Sequence, residues 1–368
     1  MRCAVKRYIL ALFLALVAAM PAAAEPTPSE TSEFPSLISA VRVRPPLTFC
    51  GEPVPLDEFE VRERLEKELL LTLWDRAQVI LYLKRMGRYF PYIEKALERA
   101  GLPDDLKYVA VAESALLPHI GSSAGAVGYW QFIPSTGRRY GLQIDREKDQ
   151  RRNLFSATRA AISYFAKLYA DFNSWTLAAA AYNMGEAGLS RRIDQQGTRN
   201  YYHLYLPLET QRYVFRILAA KLILENPERF GFHLEPEDYW LPLQFDRVEV
   251  NVSEETPIRL IADAAGTYFK KIKDLNPEIR GSSIPRGRHS LLIPDGTAER
   301  FQAQLPDLLR GYRASQGGGG ETVHVVRSGE FLSGIAERYR VPLSALMRWN
   351  GLNRNSTIHP GQQLVIRD

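Results

Sequence analysis

Apolar residues recur at helical intervals throughout residues 56–235, and this periodicity predicts an all-α region. The Met86-Gly87 pair is interpreted as a helix stop, since glycine commonly follows the last helical residue. The predicted helices cover residues 59–86, 89–100, 102–114, 134–140, 156–172, 175–183 and 209–225. No strand pattern interrupts them, so the region is predicted to pack helix against helix.

Beyond residue 236 the pattern changes to short strands and short helices. Val248, Val250 and Val252 alternate with polar residues, as expected of a strand with one buried face. Two short helices, a closing strand and a helix over residues 299–313 follow. A glycine-rich linker over residues 314–321 then leads into a second unit of the same order.

The two C-terminal units form an internal repeat, residues 236–313 and 322–368. When their sequences are aligned without a gap, Ile261 aligns with Ile335 and Asn276 aligns with Asn350. The second unit is complete, whereas the first is expected to be degenerate at both strand ends. The sequence therefore predicts a multidomain fold, in which an all-α domain precedes small α+β modules of βααβ order.

The N-terminus has the order of a secretory signal peptide. Arg2, Lys6 and Arg7 precede an apolar run, and an Ala-x-Ala sequence ends at Ala24. The run is shorter than the ~20 residues that a comfortable transmembrane helix needs, although an uncleaved anchor stays open. We therefore expect residues 1–24 to be removed near Ala24 and the protein to be exported to the periplasm or cell envelope.

Residues 25–55 are polar and rich in proline, so we expect them to form a disordered leader. The chain has 2 cysteines, and Cys3 would be lost with the signal peptide. Cys50 would then have no disulfide partner and is interpreted as a buried thiol or a residue without a role. No Leu-x-x-Cys sequence ends the apolar run, so no lipid anchor is expected.

The charge of the chain is mildly basic. Its 368 residues include 47 Lys and Arg against 42 Asp and Glu, which gives a net charge of +5. Such a balance suits an anionic polymer or the cell envelope, and it is equally compatible with no charged partner. Zinc-finger spacing, a P-loop and a long basic arm are absent from the sequence, so nucleic acid is not expected as a partner.

The candidate chemistry begins with a carboxyl group in an apolar helix. Glu113, followed by Ser114, ends a run of Leu, Val and Ala residues. Burial disfavours an ionised carboxylate, so Glu113 should keep its proton to a higher pH than a free carboxyl. A carboxylic acid of this kind can protonate a leaving-group oxygen.

A glycine-rich loop over residues 121–128 follows the candidate acid. Tyr129, Trp130 and Gln131 come directly after it. A loop of small residues rimmed by aromatic rings suits a long ligand with flat apolar sugar faces. The sequence thus predicts a glycan groove beside Glu113.

Four blocks, in this order and spacing, resemble the lytic transglycosylase domain related to goose-type lysozymes, and most of all the murein transglycosylase D family. The blocks are Glu113-Ser114, Gly128-Tyr129-Trp130-Gln131, Ala181-Tyr182-Asn183-Met184-Gly185 and Glu209-Thr210-Gln211-Arg212-Tyr213-Val214. One block alone is a weak signal, and all four together are specific. The C-terminal pair resembles LysM modules, which bind glycans that contain N-acetylglucosamine.

The resemblance implies a lysozyme-like catalytic domain that cleaves between N-acetylmuramic acid and N-acetylglucosamine in peptidoglycan. Glu113 would act first as the acid and then as the base that closes the muramyl 6-hydroxyl onto C1, with no metal or cofactor. The implied partner is the peptidoglycan glycan strand, with peripheral association with the cell envelope. The implied substrate-binding residues are Ser114, Gly128, Tyr129, Trp130, Gln131, Tyr182, Asn183 and Tyr213.

Each of these residues also has a structural interpretation. Glu113 could be a paired core carboxylate, and Ser114 could bond back within its own helix. Asn183 could end a helix. The aromatic residues that could be ordinary packing residues are Tyr129, Trp130, Tyr182 and Tyr213.

Two other functions remain open at this point. A hydrolysing muramidase of the same fold would need a second, water-activating carboxylate near Glu113. Glu186 and Glu209 lie near the other blocks, but their charged surroundings predict solvated side chains outside the chemistry. The third hypothesis is a non-catalytic glycan-binding scaffold in which the LysM modules do the binding.

Overall fold

The structure is a computed structural model that describes residues 35–317, 322–353 and 356–367. The predicted signal peptide and part of the predicted linker lie outside the described residues. Within the described ranges, none of the helices has the length and apolar character needed to span a bilayer.

The N-terminal part is built around one central helix. A short hairpin, β1 (Thr48–Phe49) and β2 (Glu52–Pro53), precedes the long helices. The helices are α1 (Leu37–Ala40), α2 (Phe59–Trp74), α3 (Arg76–Arg99), α4 (Lys107–Ser114), α5 (Pro134–Arg139), α6 (Leu154–Phe172), α7 (Trp175–Met184), α8 (Glu186–Gln196) and α9 (Leu208–Glu225). Helix α9 is apolar on nearly all sides and packs against α2, α4 and α7, because a helix without a polar face must be enclosed.

The prediction of a disordered leader is wrong for residues 35–55. Phe49 is 0% exposed and belongs to the main core. The Glu52 carboxylate accepts hydrogen bonds from the backbone N–H groups of Trp175 and Thr176, at 2.5 and 3.2 Å, and so caps the start of α7. The apolar residues scattered among the prolines are buried against helices that are distant in the sequence. This burial orders the segment despite its polar composition.

The predicted helix stop at Gly87 is also wrong, because α3 runs through it without a break. A Cβ at Gly87 would lie 2.9 Å from the carbonyl oxygen of Trp240. The Trp240 N–H donates to the carbonyl of Lys84 at 3.0 Å. Gly87 therefore allows residues 239–240 to cross the helix closely, which is a packing role and not a capping one.

Two α+β modules follow the helical domain. The first contains β3 (Phe245–Val252), β4 (Thr256–Pro257), α10 (Ile258–Ala265), α11 (Phe269–Leu275), β5 (Ser283–Ile284), β6 (Gly287–Pro294) and α12 (Ala298–Gly317). The second contains β7 (Thr322–Val325), α13 (Leu332–Arg338), α14 (Leu343–Trp349) and β8 (Gln363–Ile366). In both, the outer strands pair antiparallel, β3 with β6 and β7 with β8. The predicted order, an all-α domain before βααβ modules, is confirmed.

Two asparagines show the internal repeat at atomic detail. The Asn276 amide donates to the carbonyls of Ile272 and Leu292 and accepts from the Leu292 N–H, all at 2.7–2.8 Å. Asn350 makes the same three bonds with its own helix and with Val365, at 2.7–2.9 Å. The expectation of degenerate strands in the first module is wrong, since β3 and β6 each have 8 residues against 4 in β7 and β8.

The first module is docked on the helical domain through main-chain hydrogen bonds. We call residues 145–153 the docking loop. Its Asp149 N–H donates to the carbonyl of Glu278 at 2.8 Å, and its Glu147 carbonyl accepts from the N–H of Arg280 at 2.9 Å. These bonds resemble a short antiparallel pairing and fix the module beside the loops that carry the candidate site.

Candidate active site

A cleft of about 460 Å³ lies between the end of α4, the glycine-rich loop (residues 121–128), α7 and the start of α9. Of the predicted site residues, those that line it are Glu113, Gln131, Tyr182 and Asn183. Those that stand behind its walls are Ser114, Gly128, Tyr129, Trp130 and Tyr213. Four of the predicted residues can therefore contact a ligand in the cleft, and the other five support the walls of the cleft from behind.

Glu113 lies on the last turn of α4 with its side chain half-buried. Its Oε1 accepts a hydrogen bond of 2.5 Å from the hydroxyl of Tyr213, which is 1% exposed. A buried tyrosine needs a partner for its hydroxyl, and here the partner is the carboxyl itself. The bond therefore fixes the direction in which Glu113 faces the cleft.

Burial raises the pKa of Glu113 to about 7. The hydrogen bond from Tyr213 and the charge of Arg216 act in the opposite direction, and the charge of Glu209 adds to the rise. The effect of burial on the pKa is the largest, because the ionised carboxylate loses more hydration energy than the protonated acid does. Glu113 can thus hold a proton near neutral pH and also give it up.

The end of α4 is held by two guanidinium groups. Arg216 donates to the carbonyl of Ala112 at 2.6 Å, and Arg85 donates to the carbonyl of Ala115 at 3.0 Å. The last carbonyls of a helix have no partner within the helix, and cations suit that end of the helix dipole. Glu113 lies between these two anchored carbonyls, so its backbone is held in place.

The prediction that Tyr129 and Trp130 line the groove is corrected by the structure. Their side chains are 3% and 1% exposed, and the Trp130 Nε1 donates to the hydroxyl of Thr158 at 3.0 Å. Their carbonyls are used instead, because Ser114 Oγ donates to Tyr129 at 2.8 Å and the Tyr182 hydroxyl donates to Trp130 at 2.6 Å. The two rings anchor the loop in the core, as the packing interpretation expected.

Tyr182 and Asn183 present polar groups from α7 to the cleft. The ring of Tyr182 stacks on Phe165 with centroids 4.5 Å apart and planes 3° apart. The Oδ1 of Asn183 accepts from the hydroxyl of Thr210 at 2.7 Å. Asn183 lies inside the last turn of α7, and Gly185 takes the positive φ of 86° that follows the helix, so the interpretation of Asn183 as a helix end is wrong.

The glycine-rich loop depends on Gly128. Its φ is +87°, and a Cβ there would lie 1.9 Å from the carbonyl oxygen of Arg151. Gln131 follows with φ of 47°, and its Nε2 donates to the carbonyls of Gly128 and Ile120 at 2.9 and 3.1 Å. Both residues therefore shape the loop, and only Gln131 reaches the cleft.

Arg151 of the docking loop supports the same region from behind. It forms a bidentate pair with Asp149, with both N–O distances 2.8 Å, and both side chains are buried. It also donates to the carbonyls of Gly125 and Phe132 at 2.8 and 2.9 Å. Such a buried pair is tolerated because all three guanidinium nitrogens and both carboxylate oxygens have partners.

The sequence interpretation placed Glu186 and Glu209 outside the chemistry, but both line the cleft. Glu186 accepts from Arg139 at 2.5 Å and from the hydroxyl of Tyr164 at 2.8 Å. Glu209 is exposed, as expected. The available signal was their position, since Glu186 directly follows the third sequence block and Glu209 opens the fourth.

Family models match three parts of the chain. Residues 91–205 match the transglycosylase SLT domain, residues 244–309 match the LysM-like domain of lytic transglycosylase MltD, and residues 324–367 match the LysM domain. The first range contains Glu113, Gln131, Tyr182 and Asn183 of the cleft but ends before Glu209 and Tyr213, and the other two ranges lie in the two C-terminal modules.

The chain is also similar to individual proteins. The chain is 34% identical over 293 residues to the membrane-bound lytic murein transglycosylase D of Escherichia coli strain K12, covering 77% of this chain and 64% of that protein. It is 36% identical over 104 residues to the peptidoglycan transglycosylase gp16 of Escherichia phage T7, covering 27% of this chain and 8% of that protein. The solved soluble lytic transglycosylase SLT70 of Escherichia coli aligns with a TM-score of 0.35 and 19% identity, over 49% of this chain and 30% of that one. The chain therefore joins a region that matches the transglycosylase SLT domain to regions that match an MltD-type LysM-like domain and a LysM domain, and it spans less than two thirds of the length of the murein transglycosylase D that it matches.

Proposed function

We propose that the protein is a peptidoglycan lytic transglycosylase. It cleaves the β-1,4 bond between N-acetylmuramic acid and N-acetylglucosamine and leaves 1,6-anhydromuramyl ends. The observation that carries the proposal is Glu113, a carboxyl in the cleft wall with a pKa of about 7 and a hydrogen bond from Tyr213. The names of the relatives from Escherichia coli and phage T7 support the same activity.

In the first step, protonated Glu113 donates its proton to the glycosidic oxygen as the bond from that oxygen to C1 breaks. The carbonyl oxygen of the substrate's own 2-acetamido group bonds to C1 and stabilises the sugar cation. Glu113 is left as a carboxylate, which the Tyr213 hydroxyl stabilises. General acids of this kind work best when their pKa lies near the working pH.

In the second step, the Glu113 carboxylate takes the proton of the muramyl 6-hydroxyl. The O6–C1 bond forms, and the bond from the acetamido oxygen to C1 breaks. Glu113 is protonated again and no water is consumed. One carboxyl group is sufficient, because the substrate's own acetamido oxygen stabilises the cation at C1 and its own 6-hydroxyl then bonds to C1 in place of water.

Of the predicted binding residues, Gln131, Tyr182 and Asn183 are proposed to contact the glycan, since all three line the cleft. Ser114, Tyr129 and Trp130 are proposed to position the loop, because their polar groups bond within the protein. Both LysM units are proposed to bind glycan. Action in the periplasm or cell envelope is proposed from the signal-like N-terminus and from the membrane-bound relative.

A hydrolysing muramidase is the second candidate, because a further carboxylate, Glu209, lines the same cleft and acts on the pKa of Glu113. A hydrolase would use such a group to activate water on the opposite face of the sugar. Glu186 suits that role less, since Arg139 and Tyr164 already occupy both of its oxygens.

Fragment analysis separates these functions. Intact peptidoglycan is incubated with the purified protein, and the soluble fragments are weighed by mass spectrometry. Anhydro ends, lighter by one water, support the transglycosylase, reducing ends support the muramidase, and no fragments contradict both.

The Glu113→Gln variant tests the assignment of the acid. The amide keeps the shape of the side chain and can still accept from Tyr213, but it cannot supply the proton. Loss of a general acid is expected to slow cleavage about 10²–10⁴-fold while glycan binding persists. Cleavage at the wild-type rate would refute the role of Glu113.

A further inference from the structure

The side chains proposed to contact the glycan differ in the hydrogens that they have left to donate. Gln131 uses both hydrogens of its Nε2 on main-chain carbonyls, at 2.9 and 3.1 Å. Tyr182 uses its one hydroxyl hydrogen on the Trp130 carbonyl at 2.6 Å. An amide NH2 has two hydrogens and a hydroxyl has one, so both side chains can only accept from a ligand. Of the three, Asn183 alone still has hydrogens to donate.

The Thr210 hydroxyl determines which end of the Asn183 amide faces the cleft. Thr210 is buried, and its hydroxyl donates to Asn183 Oδ1 at 2.7 Å. Among the described residues, that hydroxyl has no second acceptor within hydrogen-bond distance. If the amide were turned over, Nδ2 would face the hydroxyl and the hydrogen of Thr210 would be buried without a partner. An unpaired buried donor is costly, so Oδ1 faces Thr210 and Nδ2 faces the cleft.

The Nδ2 group of Asn183 is free to donate to a ligand. Asn183 lines the cleft, and within the described part of the chain its Nδ2 is neither bonded nor buried. The carboxylates of Glu113 and Glu209 line the same cleft. Negative charge favours the positive end of an amide dipole, so these carboxylates also favour the orientation that turns the NH2 group to the cleft.

Thr210 is itself held in place from the side away from the cleft. It lies in the first turn of α9, where the hydroxyl of Tyr201 lies 2.8 Å from its carbonyl oxygen and 2.9 Å from that of Gln211. Tyr201 is buried, so this contact is protected from water. The first turn of α9 therefore keeps the Thr210 hydroxyl at a fixed position beside Asn183.

We propose that Thr210 is a positioning residue, which makes Asn183 the hydrogen-bond donor to a carbonyl oxygen of the bound glycan. A carbonyl oxygen carries no hydrogen, so it can pair with Asn183 but not with the acceptors left on Gln131 and Tyr182, and the N-acetyl group of each sugar supplies one. The proposal rests on the proposed function, because it describes how the same cleft holds its substrate. Thr210 does not line the cleft, so its effect on the substrate passes through Asn183.

The test measures kcat/KM for the release of all soluble fragments from peptidoglycan by the full-length protein, whichever ends the fragments carry. Thr210→Val keeps the shape of the side chain and removes the hydroxyl. If both orientations of the amide become equally populated, half of the protein keeps the donor in place, and kcat/KM falls about 2-fold. Complete loss of the contact gives a fall of about 10-fold, so the expected range is about 2–10-fold. Thr210→Ser keeps the hydroxyl and should stay near the wild type.

A double-mutant cycle tests whether the effect passes through Asn183. In an Asn183→Ala background, Thr210→Val should cause no further fall in kcat/KM. Asn183→Asp can still accept from Thr210 but presents an oxygen to the cleft, so it should lose at least as much as Asn183→Ala. Thr72→Val is the control for losing a threonine hydroxyl, because that hydroxyl donates to the Glu68 carbonyl at 2.8 Å and lies outside the cleft lining. Its kcat/KM should equal that of the wild type.

Three results would overturn the proposal. A wild-type kcat/KM in Thr210→Val would mean that the hydroxyl does not orient the amide. A wild-type kcat/KM in Asn183→Asp would mean that an acceptor serves the substrate as well as a donor. An equal fall on Thr210→Val with and without Asn183 would leave Thr210 a purely structural role. Failure of the proposed function would show separately, as fragments that carry reducing ends instead of anhydro ends.

Discussion

Removing the Tyr213 hydroxyl tests whether its hydrogen bond lowers the pKa of Glu113. In Tyr213→Phe the ring that fills the core stays, and only the donor to Glu113 Oε1 is lost. The hydroxyl stabilises the ionised carboxylate and so lowers the pKa of Glu113, against the larger effect of burial. Without it the protonated form is favoured further, so the pKa must rise.

The size of the rise follows from the strength of the bond. A hydrogen bond to a charged group contributes about 1.5–3 kcal/mol, and about 1.4 kcal/mol corresponds to one pH unit, so the pKa should rise by about 1–2. Starting from about 7, the alkaline limb of the activity profile should move upward. The carboxylate formed after proton transfer loses the same support, so the rate on the acid plateau should fall by up to about 10²-fold.

The assay is the initial rate of anhydro-fragment release from peptidoglycan, measured from acid to alkaline pH. In the proposed first step protonated Glu113 is the active form, so activity should decline as pH rises through its pKa. Tyr182→Phe is the matched control, because its hydroxyl donates to the Trp130 carbonyl and not to Glu113. Its alkaline limb should stay near that of the wild type.

An unchanged or lower alkaline limb in Tyr213→Phe would refute the reasoning. Such a result would mean that the hydroxyl does not stabilise the ionised acid, or that another group sets the profile. A shift of equal size in Tyr182→Phe would also refute it, since the effect would then come from loosening of the cleft.

The remaining predictions concern stability and are measured as free energies of unfolding in urea. Gly128→Ala forces a positive φ on alanine and meets the Arg151 carbonyl at 1.9 Å, so it should cost more than about 2 kcal/mol. Glu52→Ala removes the acceptor for the first N–H groups of α7 and should cost about 1–2 kcal/mol. Asn276→Ala leaves the N–H and carbonyl of Leu292 without their buried partner and should cost about 1–3 kcal/mol.

Each of these stability predictions has a control. Gly141 also has a positive φ, +83°, but nothing lies within 4 Å of its added Cβ, so Gly141→Ala should be milder than Gly128→Ala. Equal losses at the two glycines would show that the clash is unimportant. Glu52→Gln should recover part of the cap, and a neutral effect of Glu52→Ala would mean that the hairpin does not support α7. Asn276→Ala should leave the second module unchanged.

The sequence predicted the raised pKa of Glu113 and the internal repeat, because both leave local signals. Glu113 interrupts an apolar helix, and its neighbours determine how deeply it is buried. Asn276 and Asn350 are related by a gap-free superposition, and the structure gives them the same hydrogen bonds. Features of this kind depend on residues close in the chain, or on two copies of one pattern.

Features that depend on distant partners were missed. Aromatic residues beside a glycine-rich loop can line a groove or pack in a core. The turn at Gly128 directs Tyr129 and Trp130 into the core, and the sequence does not show that direction. The residues around Phe49 have no regular spacing, and only the helices that cover them make them core. The docking loop is joined to the first module by main-chain hydrogen bonds. Such bonds do not depend on particular side chains, so the sequence gives no sign of them.

The docked first module limits how this protein can be recombined. The docking loop bonds to the module on one side, and through Arg151 it holds the wall of the cleft on the other. Swapping residues 244–309 for a foreign LysM repeat would remove the backbone partners of that loop and so disturb the cleft that contains Glu113. The unit that can be inherited or transplanted intact is therefore the SLT domain together with its first LysM neighbour.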